Sequence, residues 1–275
     1  MENVPGQAVR VWNTDPEKHN VIWLERMSVS NTGHRGESSP ALDVQLKSAY
    51  VLIRNCFFNK IRARDASVMS VKFDSETMSR VSTAKATQNS YVSCEGGAVI
   101  SVRNSGQNNA TLRLTNNNLR HNSATDRHSV VQLVNMSVLM EGNLIRDNTG
   151  KYILEIGNDD ECSRLPVRAG QNIFWNNKAF DNAAKYTVSL HASDVVFRKN
   201  IFNNPTNTFE MSFHNLTGVN ASDVVIDCTH NWWGSGRAYD VTGEIRDGRH
   251  VEDLPIIEFL PFDPVPSSSL HFSSR

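Results

Sequence analysis

Apolar residues two positions apart, with polar ones between them, recur in short runs along most of this chain. Five of these runs align without gaps from their first apolar residue: VLIRNCFFN from Val51, LRLTNNNLRHN from Leu112, VLMEGNLIRDN from Val138, VRAGQNIFWNN from Val167 and VVFRKNIFNN from Val195. A period of two is that of a half-buried β-strand, which puts Val51 with Ile53, Leu112 with Leu114 and Val195 with Phe197 on one face. Five positions after the first apolar residue stands Asn117, Asn143, Asn172 or Asn200, with Cys56 in the equivalent place of the earliest run. Asn231 closes this series in a last run, VVIDCTHNWWGSG, which, counted from Val224, carries two extra residues. Two positions beyond each of these comes a large apolar residue: Phe58, Leu119, Ile145, Phe174, Phe202 and Trp233. Asparagine is then frequent again, at Asn59, Asn122, Asn148, Asn176, Asn177, Asn203 and Asn204.

A second alternating run lies between these segments, as in SVVQLVN, YILEIGN, TVSLHAS and FEMSFHN, and successive Asn positions fall about 25 to 30 residues apart. A unit of that length holds three short strands and three turns. It cannot bury its own apolar side, but stacked copies form a continuous core. The pattern therefore predicts an all-β fold, a solenoid of three parallel sheets, in which equivalent residues of neighbouring coils lie about 4.8 Å apart. At that spacing an inward Asn series can bond to itself and to backbone as a ladder, and Asn tolerates the left-handed backbone of a tight turn. Residues 1–40 are expected to form an N-terminal coil or cap, 41–235 the β-helix coils, and 236–275 a C-terminal cap and tail. The pattern leaves the register between residues 65 and 95 open.

Composition narrows the partners more than it identifies them. A formal net charge of −1 over 275 residues lacks the one-signed field of a nucleic-acid binder. No run reaches the ~20 apolar residues of a membrane-spanning helix, and the first residues lack the pattern of a signal peptide. Cys56, Cys94, Cys162 and Cys228 have no zinc-finger spacing and are left as two disulfides or as buried thiols. Four N-x-S/T sequons stand at Asn109, Asn135, Asn215 and Asn220, about as many as 29 asparagines produce by chance.

The coils resemble those of the right-handed parallel β-helix of the pectin-lyase-like superfamily. The end of the chain, NWWG, then EIRD, then IIEFLPFDPV, resembles the end of the β-helix domains in the bark beetle (Anakonda) family of arthropods and nematodes. That resemblance implies a non-catalytic, extracellular module of a larger single-span membrane protein that also carries scavenger-receptor and lectin-like modules. It implies a role in cell adhesion or tricellular-junction organisation, protein partners or other domains of the same ectodomain, and oxidised cysteines.

The alternative is a carbohydrate-active enzyme or glycan-binding module of the same fold, which needs clustered carboxylates, bound Ca²⁺ or exposed aromatics in one groove. Asn13-Thr14-Asp15, Gly33-His34 and Asp159-Asp160 come in the wrong order for the hydrolases of that fold and read as solvated turns. Ser193-Asp194-Val195-Val196 recurs as Ser222-Asp223-Val224-Val225, so Asp194 and Asp223 are a candidate carboxylate pair on adjacent coils. Arg54, Arg113, Arg146, Arg198 and Lys199 are expected to alternate outward along one face. His191, His214 and His230 have no ligand spacing, so neither a metal nor a cofactor is expected. Exposure of Trp12, Trp23 and Trp175 together would favour the glycan reading.

Overall fold

The computed structural model describes residues 9–13, 15, 19–32, 40–63, 66–75, 81–106, 109–158, 164–180, 185–214, 220–221, 224 and 226–266. It is a parallel β-solenoid of about seven turns. One coil shows the plan. Ile100–Asn104 lies in a first sheet, Ala110–Thr115 in a second, Asn118–Arg120 in a third and Ser123–Ala124 in a fourth, and the chain then re-enters the first sheet at Val131–Val134. The first and second sheets have nine strands each, the third has seven and the fourth five. The fourth, a narrow sheet of two-residue strands, is an addition to the three expected. Its strands are too short to show a period, and their sequences, Arg62-Ala63, Glu95-Gly96, Ser123-Ala124, Thr149-Gly150 and Lys178-Ala179, share only a small inward residue. Smallness is needed there: a Cβ on Gly96 would lie 2.4 Å from the carbonyl oxygen of Ala63 in the preceding coil.

Alternation sorts each strand into an inward and an outward set. Leu112 and Leu114 point in while Arg113 points out, and in-register stacking on Ala84, Ala86, Val138 and Met140 merges the inward sets into one core. Along the third sheet the inward row runs Val29, Phe58, Tyr91, Leu119, Ile145, Phe174, Phe202 and Trp233, all 6% exposed or less. The rings stack nearly face to face at 4.9 Å for Phe58 and Tyr91, 5.0 Å for Phe174 and Phe202, and 4.7 Å for Phe202 and Trp233.

Two asparagine ladders border this row. The first holds Asn89, Asn117, Asn143, Asn172, Asn200 and Asn231, all buried. The backbone N–H and Nδ2 of Asn117 both donate to Oδ1 of Asn143, at 3.0 Å each, while the same Nδ2 donates to the carbonyl of Ala86 in the preceding coil at 2.8 Å. Asn143, Asn172 and Asn200 repeat this set. A second ladder runs through Asn122, Asn148, Asn177 and Asn204 at the next turn. A cysteine heads each. The backbone N–H groups of Cys56 and Cys94 donate to Asn89 and Asn122, and their thiols point to the carbonyls of Leu24 and Phe58, the place of an Asn Nδ2.

The left-handed residue at each first turn is the one before the ladder position. Arg26, Asn55, Gln88, Asn116, Gly142, Gln171, Lys199 and His230 have φ between 54° and 65°. The ladder asparagines are thus selected for bonding rather than for backbone conformation. The preceding residue, turned outward, takes the strained conformation, which the stacked coils hold in place.

In the last coil Val195 pairs with Ile226 and Val196 with Asp227. The two apparent extra residues therefore vanish: the run starts at Ile226, five before Asn231. The chain then forms α1 (Ala238–Gly243) and adds Ile245–Arg246 and Ile257–Glu258 to the first and second sheets. Backbone bonds from His230 to Pro261 and from Asp263 to Asn231 lay the closing segment over the final turn. No helix among the described residues is long and apolar enough to cross a membrane.

Candidate functional site

Outward side chains of the first sheet form rows along the solenoid, one residue per coil. Strand register puts Arg10, Asp43, Ser70, Ser101 and Gln132 in one row, and Trp12, Gln45, Lys72 and Arg103 in the next. Between them opens a cleft of about 640 Å³, walled by Pro40, Ala66 and Ser67 on one side and Ser105 on the other, with His128 at one end. Asp43 is the only carboxylate lining it among the described residues, and it is occupied. Gln45 Nε2 donates to its two oxygens at 3.3 and 3.1 Å, and Arg10 Nε stands 3.6 Å away. Lys72 and Arg103 are register partners on adjacent coils, and neither has an ion-pair partner among the described residues. Two cations held side by side over a floor of hydroxyls and amides leave an unmet demand for anionic oxygen.

The same face changes character towards the C-terminal coils. Gln132 is followed in its row by Glu155, Ser189, Ser212 and Arg246. Glu155 Oε2 accepts from Ser129 Oγ at 2.6 Å and from Gln132 Nε2 at 3.3 Å. Ser189 Oγ and His214 Nε2 are hydrogen-bonded at 2.7 Å. Burial, then the nearby His191 and Arg246, hold the His214 imidazole below its ordinary pKa, against the pull of Glu155. The rings of His191 and His214 are set edge to face, their centroids 6.3 Å apart.

Other residues singled out from sequence lie elsewhere. Asp194 is bound to Arg168 at 2.7 Å, and Asp223 lies outside the described residues. The pairing of Val195 with Ile226 removes the alignment that would have set the two Ser-Asp-Val-Val stretches side by side, because that alignment is off by two residues. The basic residues form no single stripe. Arg113 is on the second sheet, Arg54 and Arg198 there bond Glu25 and Asp227, Arg146 is on the third sheet, and Lys199 occupies a turn. Trp12, Trp23 and Trp175 fall on three different sheets, so no joint aromatic platform exists. Trp175 instead stacks on Trp232 at 6.2 Å.

Asn109 and Asn220 are exposed, Asn135 is half-buried at a turn, and Asn215 lies outside the described residues. Of the Asp159-Asp160 and Gly33-His34 pairs no residue is described; Cys162 is not described either. Cys56, Cys94 and Cys228 are buried free thiols, which corrects the expectation of oxidised cysteines for these three. Burial raises all three pKa values, Cys94 to about 11. No cluster of three or more His, Cys, Asp or Glu side chains among the described residues could hold a metal ion.

Sequence reasoning passed over Asp43, Lys72, Arg103, Glu155 and Gly157. They come from four strands, with Glu155 and Gly157 together on Leu154–Gly157, and the sole signal available was an outward position shared by successive first-sheet runs. No family model, curated protein or solved structure matches the chain.

Proposed function

We propose that this chain is a non-catalytic recognition module that holds an extended acidic glycan along the outer face of its first sheet. The carrying observation is the Lys72–Arg103 pair, unpartnered among the described residues and open to an elongated cleft. Three further features support the reading. The floor offers Ser70, Ser101, Gln45 and Gln132 to hydroxyl groups. The coil spacing of about 4.8 Å is close to the length of one sugar unit in an extended chain, so consecutive units meet consecutive coils. The one carboxylate in the cleft among the described residues is engaged by Arg10 and Gln45, so these residues place no acid and base there to cut a glycosidic bond. The adhesion and junction role, and an extracellular setting, rest on the resemblance of the end motif alone.

Calorimetric titration with oligogalacturonate tests the proposal. Binding is expected to weaken as NaCl is raised and to fall at least about tenfold in Lys72→Ala/Arg103→Ala, since each lost charge-assisted contact is worth roughly 1.5 kcal/mol or more. Arg113→Ala, on the second sheet, should leave it unchanged. Absence of binding, or equal loss in both variants, would refute the assignment.

A further inference from the structure

Beyond Gln132 the outer face holds a notch. Gly157 stands in the row between Val134 and His191, and a Cβ built on it would meet no atom within 4 Å. One row over, Glu155 lies between Gln132 and Ser189. Both of its hydrogen bonds fall on Oε2, so Oε1 has no partner among the described residues. His214 reaches over from the next coil to Ser189. The missing side chain at Gly157 thus leaves a gap with backbone for a floor, a free carboxylate oxygen and an amide on one side, and an imidazole at the far end.

These groups suit a different guest from the cationic stretch. The carboxylate oxygen accepts from one hydroxyl while the amide beside it donates to the neighbouring one, the pairing that adjacent sugar hydroxyls satisfy. A uronate in the same place would set its own charge against Glu155 without an intervening cation. We propose that the Gly157 notch is a subsite for a neutral sugar residue of the bound glycan, held through paired hydroxyls by Glu155 and Gln132. The face then reads charge at Lys72 and Arg103 and hydroxyl pattern from Gln132 to Ser189. Its ligand is a mixed polymer in which acidic units alternate or branch with neutral ones. This inference rests on the first sheet being a glycan surface.

The experiment compares three probes of similar length: oligogalacturonate, neutral xylo-oligosaccharide, and xylo-oligosaccharide carrying one glucuronate. Gly157→Leu fills the notch, its Cβ meeting no atom within 4 Å, and Glu155→Gln keeps the shape while removing the charge. The mixed probe should bind the unmodified chain most tightly, and Gly157→Leu should weaken it about tenfold while leaving oligogalacturonate unaffected. Glu155→Gln should narrow the discrimination between mixed and wholly acidic probes. If Gly157→Leu leaves the mixed probe unchanged while Lys72→Ala/Arg103→Ala still abolishes oligogalacturonate binding, the notch assignment fails and the cationic reading stands. If no probe binds the unmodified chain, both fail.

Discussion

A buried asparagine in this fold does three jobs with one amide. Asn143 accepts from the backbone N–H and Nδ2 of Asn117, and its own Nδ2 bonds the Leu114 carbonyl at 2.8 Å and Oδ1 of Asn172. Asn143→Ala would leave two donors and a carbonyl unpaired in the interior. A loss on the order of 3 kcal/mol is expected in urea unfolding, because each orphaned buried group costs about 1–3 kcal/mol. Asn59→Ala, at a half-buried position outside both ladders, should change the midpoint little. Much of the first ladder was legible because its residues sit at a fixed offset from strands with large apolar residues. Asn89 was not: the strand before it, Ser82–Thr87, turns Ser82, Ala84 and Ala86 inward, and such small residues carry too weak a periodic signal to set a register. The cysteine heads were visible as letters, but their role needed the neighbouring coil.

At the scale of the element, stacking corrects what local sequence suggests. Two identical Ser-Asp-Val-Val stretches invite superposition, yet the last coil chooses Ile226 for the place of Val195. That register keeps Asn231 under Asn200 and Trp233 under Phe202, and shifting it by two would break a ladder rung and an aromatic stack together. Trp233 is 1% exposed and closes the inward row beneath the final segment. Trp233→Ala should therefore cost about 3–5 kcal/mol, as for other large-to-small changes in a core. The expected readout is a lowered thermal midpoint followed by far-ultraviolet circular dichroism. Trp233→Phe, which keeps a ring stacked on Phe202, should recover most of the loss.

For the molecule as a whole, the outer faces were the least legible part, since the residues of one row are a full coil apart in sequence and their meaning depends on register. The apolar repeat showed the solenoid, whereas the cleft beside Lys72 and Arg103 exists only once the coils are stacked. The ends of such a stack also need chemistry of their own. The second ladder ends on Glu210, whose carboxylate oxygens receive the backbone N–H of Asn204 at 2.7 Å, its Nδ2 at 2.8 Å and the hydroxyl of Thr187 at 2.6 Å. Burial raises its pKa from 4.5 to about 7, with a smaller push from Glu244, against the hydrogen bonds from Thr187 and Asn204. The folded chain therefore binds a proton that the unfolded chain has released. The associated stability is complete below pH 4.5 and is lost as the pH rises through about 7. His214, with its lowered pKa, acts in the opposite sense, its contribution being lost as the pH falls. Comparing thermal midpoints of the unmodified chain and Glu210→Gln between pH 4.5 and 8 cancels the histidine contribution. The difference should shift in favour of Glu210→Gln as the pH rises, and a constant difference would rule the carboxylate out.

The ladders also give the solenoid a direction. Every side-chain amide from Asn89 to Asn200, and from Asn122 to Asn177, gives its Nδ2 to Oδ1 of the following coil, so both files of amide dipoles are aligned along the axis. Aligned amides polarise one another and sum to a partial positive charge at the end where the N–H groups point, as in an α-helix. That end is the C-terminal one, and Glu210 places its carboxylate there. The two ends are thus electrically unlike, and a further solenoid of the same kind could continue the files only head to tail.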